Sequence, residues 1–361
     1  VELAPDEPSR AALTYFAQKF KAARPLMLPP DVPADRAAAL RAAFDATMRD
    51  PAFLKEMADM KAGLKNGTLD IVVGTHAILG KQIEFARLGL VMGEHSKCSI
   101  GTRFNTGDGL KMAIDIGAST CGNWSGGHAV GWDYNAPEYG DLSVGDNFQK
   151  HSYPFGIIVN MNGERFVDEG ADFRNYTYAK YARAVLEQPG QFAWQVFDAK
   201  TRPLLRPEYS GREVTKVKAN TLEELAEKLE GVNAKAFLKT VREYNAAVKK
   251  DIPFNEGLRD GKCTEGIEPV KSNWANVLDT PPYEAFGVTC GITFTFGGLR
   301  INHENGQVLD VGYEPIPGLY AAGEMVGGIF YFNYPAGTGL VSGLVFGRIA
   351  GSGAAVEAKA R

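Results

Sequence analysis

The apolar positions of this chain change period several times, and each change marks an element. Over 34–50, Ala37, Leu40, Phe44 and Thr47 recur at helical spacing behind Pro29-Pro30 and Pro33, which predicts a helix that stops before Pro51. A second helix is expected over 51–64, where Phe53, Leu54, Met57 and Met60 are apolar. Asn66-Gly67 then turns the chain into Leu69-Asp-Ile-Val-Val-Gly74, a buried-strand pattern, and 88–92 reads as another strand. Asn105-Thr-Gly-Asp-Gly109 leads into a short amphipathic helix holding Leu110, Met112, Ala113 and Ile116. Residues 155–160 read as a strand, Asn162-Gly163 as a hairpin turn and 165–169 as the returning strand. A polar, aromatic-rich helix over 173–188 and a strand over 192–197 follow. Helices are predicted over 221–230, opened by the capping box Thr221-Leu-Glu-Glu224, and over 233–250. The stretch 251–282 is loop-rich, and strands return at 283–288 and 299–302.

The C-terminal run carries the sharpest signal. Gly318-Leu-Tyr-Ala-Ala-Gly-Glu324 reads as a short buried strand, and Gly337-Thr-Gly-Leu340 opens a helix with glycine at 339, 343, 347 and 351. Residues four apart share a helix face. Each glycine costs a helix about 0.5–1 kcal/mol against alanine, so the stripe implies close approach of another backbone or of a large flat ligand. The first free N–H groups of this helix, and the positive end of its dipole, are expected to face that ligand.

Composition narrows the picture only in part. With 361 residues, 45% apolar, 23% charged and a net charge of −4, the chain has room for two or three domains and shows no electrostatic footprint for nucleic acid or an anionic membrane. No unbroken apolar run reaches the ~18 residues of a spanning helix, Arg348 interrupts the C-terminal one, and no signal peptide opens the chain. Cys98, Cys121, Cys263 and Cys290 are scattered without metal spacing, so no metal site and a cytoplasmic setting are expected. Strands and helices mixed around a separate intervening unit predict an α+β or α/β chain with an inserted domain.

Five motifs in order carry a family resemblance: Asn105-Thr-Gly-Asp-Gly109, Gly163-Glu-Arg-Phe-Val-Asp-Glu169, Val196-Phe-Asp198, Phe296-Gly-Gly298 and Gly318-Leu-Tyr-Ala-Ala-Gly-Glu324. They resemble the fumarate reductase and succinate dehydrogenase flavoprotein superfamily, over about 97–361. Gly122-Asn-Trp-Ser125, Gln149-Lys-His-Ser-Tyr-Pro154 and Gly291-Ile-Thr-Phe-Thr-Phe-Gly-Gly298 look like its tricarballylate dehydrogenase branch. The resemblance implies FAD and a glutathione-reductase-like FAD-binding domain in two pieces, 97–122 and 291–361. It also implies a capping domain over 123–290, behind an atypical, helical N-terminal segment over 1–96. The chain departs from the family pattern by lacking a Gly-x-Gly-x-x-Gly turn, whose backbone N–H groups would hold the FAD pyrophosphate: Met112, Ser342 and Val356 stand where a third glycine would be. Instead, 24–60 looks like the end of a periplasmic tricarboxylate-binding receptor. Leu69–Leu79 with 85–91 is similar to a helicase motor segment, without its ATP motifs.

The same resemblance assigns roles. Arg202 matches the arginine that donates the proton, and Glu169 and Arg174 match the pair that recharges it. His128 matches a substrate-carboxylate histidine. Where fumarate reductases carry a histidine pair this chain has Thr293 and Phe294, and in place of a carboxylate-clamping arginine it has Tyr334. Tyr334-Pro335 resembles the 3-ketosteroid dehydrogenases, in which the tyrosine meets the substrate carbonyl. Expected cofactor contacts are Asn105, Thr106, Gly107 and Asp108, then Gly323 and Glu324, then Gly337, Thr338, Gly339 and Leu340. The implied function is hydride transfer between FAD and a small carboxylate such as tricarballylate, served by an electron-transfer partner. A 3-ketosteroid-dehydrogenase-like enzyme and an incomplete or chimeric flavoprotein without cofactor remain alternatives.

Overall fold

In the computed structural model, residues 107–137 and 148–360 are described, with the isolated positions 51, 97–98 and 139. The elements expected before residue 93 (Pro51 apart, which is helical), the receptor-like and helicase-like stretches, and Asn105 and Thr106 lie outside the described residues.

Strand β7 (Tyr283–Thr295) organises the rest. It is twice as long as the sequence pattern suggests, because Cys290, Ile292, Phe294 and their neighbours continue the strand beyond Val288. It runs unbroken past residue 290, where the cap was expected to end. Four strands pair with it: β3 (Gly127–Asp133) and β6 (Lys216–Ala219) along one edge, β5 (Ala193–Phe197) and β1 (Lys97–Cys98) along the other. Only β1 is parallel to it. Strand β4 (Ile157–Val159) completes the sheet through β5. The short strands β2 (Thr120–Cys121) and β8 (Gly298–Leu299) pair, as do β9 (Gln307–Leu309) and β10 (Pro315–Tyr320).

Helix α1 (Asp108–Asp115) lies between β1 and β2 in the chain, and α2 (Arg174–Leu186) packs on β3 and β7. Helices α3 (Leu222–Lys228) and α4 (Ala234–Ala247) cover β4 and β5, burying Leu225, Phe237, Val241 and Tyr244 against Ile157, Trp194 and Val196. The capping box forms with a shift: Thr221 Oγ1 accepts from the Glu224 N–H, while Glu224 reaches the N–H of Asn220. The returning strand expected over 165–169 reduces to a single bridge, Val159 to Arg165. Its charged side chains explain why, since Arg165 and Glu169 turn inward and pair at 2.5 Å with 3% and 0% side-chain exposure. Gly163 makes the turn before it at φ 80°, and an added Cβ would stand 2.5 Å from the Phe237 nitrogen.

Helix α5 (Thr338–Ala360) is the predicted glycine-striped helix. Tyr320, Ala322, Phe346, Ala350 and Ala354 form its local core, while Leu340, Val345 and Val356 are exposed. Despite Arg348, Thr338–Lys359 is long and apolar enough to cross a membrane by length and composition alone, the one such helix among the described residues.

Candidate active site

Where β3 begins, against the end of β7, the ladder skips a residue: His128 faces Phe294, and Ala129 faces Ile292. The irregularity lays the His128 ring on Phe294, with centroids 5.0 Å apart and planes 17° from parallel. Helix α2 supplies the next wall. Its first residue is Arg174, and Tyr178 follows one turn later on the same face. The Tyr178 hydroxyl and His128 Nε2 are hydrogen-bonded. The loop before α5 is fastened to the start of α2, since the Ala336 N–H donates to the Asn175 carbonyl (2.8 Å) and Asn333 Nδ2 to that of Tyr176 (2.9 Å). That fastening brings the Tyr334 ring to 4.2 Å from His128, 5.4 Å from Phe294 and 4.9 Å from Phe330.

A cationic pole lies beside these rings. His151, 5% exposed, sits 4.9 Å from the Tyr178 ring, and its Nε2 is buried without a hydrogen-bond partner. Burial, then the charges of Arg174 and Arg206, hold the His151 imidazole well below its ordinary pKa, so it is neutral near pH 7. Arg206 ion-pairs with Glu208 at 2.8 Å. Arg174 is different: among the described residues its guanidinium has no hydrogen bond or ion pair. Burial and then the neighbouring Arg206 charge lower the Arg174 pKa. Two guanidiniums facing one carboxylate leave an excess of positive charge, which an anion in the cleft would balance.

The cofactor side is built from the loop after β10 and the start of α5. Glu324 accepts a long bond from the Thr295 N–H, 3.4 Å, its single recorded donor among the described residues. Burial pushes its carboxyl up to about 8, and hydroxyl donors of a bound sugar-like chain would satisfy it. Gly323 adopts φ 67° and Gly337 φ 87°, conformations that favour glycine. An added Cβ at Gly337 would meet nothing within 4 Å, so its outer face is open. Gly107, at φ 88°, precedes α1, and Asp108 is its first residue. The amides expected to face the ligand are partly engaged, because the Thr338 N–H points back to the Pro335 carbonyl (3.2 Å) and the Gly339 N–H donates to the Tyr334 hydroxyl (2.8 Å). Leu340, at the same helix start, is exposed.

Three expected residues therefore meet, namely His128, Tyr334 and Arg174. Arg202 does not join them. Its Nε pairs with Glu284 at 2.7 Å and its Nη2 donates to Ser210. Glu284 and Phe294 are ten residues apart on one strand, roughly 30 Å at ~3.3 Å per residue, so Arg202 stands at the far end of the sheet. Glu169 is also displaced from its expected role. Arg165 and the Ile158 N–H (2.8 Å) hold its carboxylate in the buried core beside β4, and the acidic neighbour of Arg174 is Glu208 instead. Sequence reasoning gave His151 no role and missed Tyr178 and Arg206. The Arg174-x-x-x-Tyr178 spacing on a predicted helix was the one available signal for Tyr178.

Residues 89–340 match the FAD binding domain family. The chain is 36% identical over 260 residues to the "Probable fumarate reductase" of Shewanella frigidimarina, covering 70% of this chain and 39% of that protein. To the 3-oxosteroid 1-dehydrogenase of Mycolicibacterium smegmatis it is 28% identical over 284 residues, covering 73% and 48%. The open conformation of a flavocytochrome c3 fumarate reductase superposes with a TM-score of 0.52 at 31% identity, over 73% of this chain and 42% of that one. The chain thus spans about two fifths to one half of the length of the proteins it matches.

Proposed function

This chain belongs to the FAD-binding-domain family of flavoproteins, and from that premise we propose that it is an FAD-dependent oxidoreductase acting on a carboxylate substrate held at Arg174. The observation that carries the reading is the Arg174 guanidinium, without a hydrogen bond or ion pair among the described residues, beside Arg206 and one turn from the Tyr178–His128 bond.

FAD, when bound, supplies hydride exchange with a substrate carbon. Glu324 would hold hydroxyls of the cofactor, with Gly323 and Gly337 letting the backbone come close. Arg174 binds the substrate carboxylate and is placed to give a proton to the neighbouring carbon. An arginine acts as an acid only where its charged form is destabilised, and the lowered Arg174 pKa supports that role. Arg206, whose side chain is 39% exposed, and Glu208 give the proton a route back to solvent. His128 and Tyr334 orient the substrate between them. Tricarballylate and fumarate are members of this substrate class, and a separate protein or small carrier exchanges electrons with the flavin. An incomplete flavoprotein without cofactor is the competing reading, prompted by the absent Gly-x-Gly-x-x-Gly turn.

FAD affinity separates the two readings, and its pH dependence tests Glu324. A carboxyl raised to about 8 in the folded chain is protonated at pH 6. Donors that favour the ionised form must expel that proton, so binding tightens as pH rises, by up to about tenfold per unit until pH 8. The expected result by fluorescence titration is micromolar or tighter affinity at pH 8, tenfold or more weaker at pH 6, with a flat profile for Glu324→Gln. No binding at either pH would favour the cofactor-free reading.

A further inference from the structure

Among the described residues, the unpaired charge gathers at one end of the site. Its cations, Arg174 and Arg206, stand beside His151, whereas the opposite wall is made of rings. Phe294 packs edge-on against Phe296 and Phe330 (6.1 Å each) and against Tyr334. Phe294 and Phe330 are half-buried, so each keeps part of its ring accessible, although His128 stacks on one face of Phe294. Two further arginines lie over rings rather than in ion pairs among the described residues: Arg183 over Phe332 at 4.7 Å and Arg300 over Tyr313 at 5.1 Å, with Arg183 Nη1 and Arg300 Nε buried and without a hydrogen bond there. Arg183 is nine residues along α2 from Arg174, roughly 13 Å at 1.5 Å per residue.

We infer that the substrate is a monocarboxylate with a planar apolar body, an aryl- or alicyclic-substituted unsaturated acid, seated with its carboxylate at Arg174 and its ring against Phe294 and Phe330. This rests on the proposed function and narrows its substrate class. A second carboxylate at the ring end would lose its hydration without gaining a cation, which is strongly unfavourable. A ring there instead buries apolar surface and stacks on aromatic neighbours. Size alone does not decide this, because a phenyl group and a carboxylate are both flat. Charge decides it.

Cinnamate and fumarate make the cleanest comparison, since one is the other with a carboxylate exchanged for a phenyl ring. The full chain, incubated with FAD, is titrated calorimetrically with cinnamate, fumarate and tricarballylate, and the flavin absorbance of the same sample is recorded. Cinnamate should bind at least tenfold more tightly than either polycarboxylate. Phe294→Arg, which places a cation on the apolar wall, should move the ratio toward fumarate by tenfold or more. Fumarate or tricarballylate binding as tightly as cinnamate overturns the inference, and so does a sample that binds none of the three. A colourless sample that still prefers cinnamate would remove the flavin reading and leave the ligand class standing. A yellow sample that prefers fumarate would do the reverse.

Discussion

Arg174→Lys lowers turnover by about two to four orders of magnitude and leaves thermal unfolding and any flavin spectrum unchanged, whereas Arg202→Ala leaves turnover within about threefold. The contrast follows from where the two guanidiniums stand. Arg174 begins α2 without an ion pair among the described residues, one turn from Tyr178. Lysine there keeps the positive charge but loses the planar fork that can grip a carboxylate while aiming a proton, and it loses reach. Because the position is only half-buried at a helix start, the fold should tolerate the exchange. Arg202 is engaged by Glu284 and Ser210 at the other end of β7. Its loss touches a partly buried ion pair, with Arg202 31% and Glu284 10% exposed, and Lys218 stays 3.8 Å from Glu284, so the cost is expected in stability rather than in turnover. Steady-state oxidation of a reduced viologen with an unsaturated acid measures both variants. Equal losses for the two would mean that the cleft described around Arg174 is not where the proton moves.

Proposing Arg174 rather than Arg202 as the donor rests on what a sequence can and cannot convey. Helix α4 was legible because an amphipathic pattern follows the Asn233 cap, whereas α2 was read from a polar, aromatic-rich run and α5 from its glycine stripe. Strand β3 was not, since Gly127-His-Ala-Val-Gly-Trp-Asp133 has no alternation; it is buried on both faces, and such strands lack a periodic signature. The end of β7 was missed for the same reason. Gly323, Glu324 and Gly337 could be proposed for the flavin side because glycine and an acid after a strand are locally readable. A donor arginine is a matter of three-dimensional placement. Both candidates follow a motif at a plausible interval, and only pairing decides between them. A guanidinium already held by Glu284 reads in sequence like one that waits for an anion.

The largest stability effect is expected at the ion pair that took Glu169 out of the cleft. Arg165 touches three parts of the cap: it pairs with Glu169 at 2.5 Å, donates to the Pro269 carbonyl at 2.7 Å and lies 5.2 Å from the Tyr244 ring. Glu169 has no exposed surface, and its other partner is the Ile158 N–H on β4. Arg165→Ala therefore leaves a buried carboxylate with one backbone donor, and breaking a buried pair from one side costs about 3–5 kcal/mol. The urea midpoint should fall accordingly with an unchanged slope, because the surface exposed on unfolding is the same. Arg165→Met combined with Glu169→Gln should recover part of that loss, since no unpaired carboxylate remains and the volume is kept, while the buried Lys271 loses the charge of Glu169 but keeps the Pro154 and Gly156 carbonyls. The coupling between the two sites, read from the full double-mutant cycle, should exceed about 1 kcal/mol. If each single variant unfolds within about 1 kcal/mol of the parent, Glu169 is hydrated rather than sealed in the core. It would then be available to Arg174 after all, and the route through Arg206 and Glu208 would lose its reason.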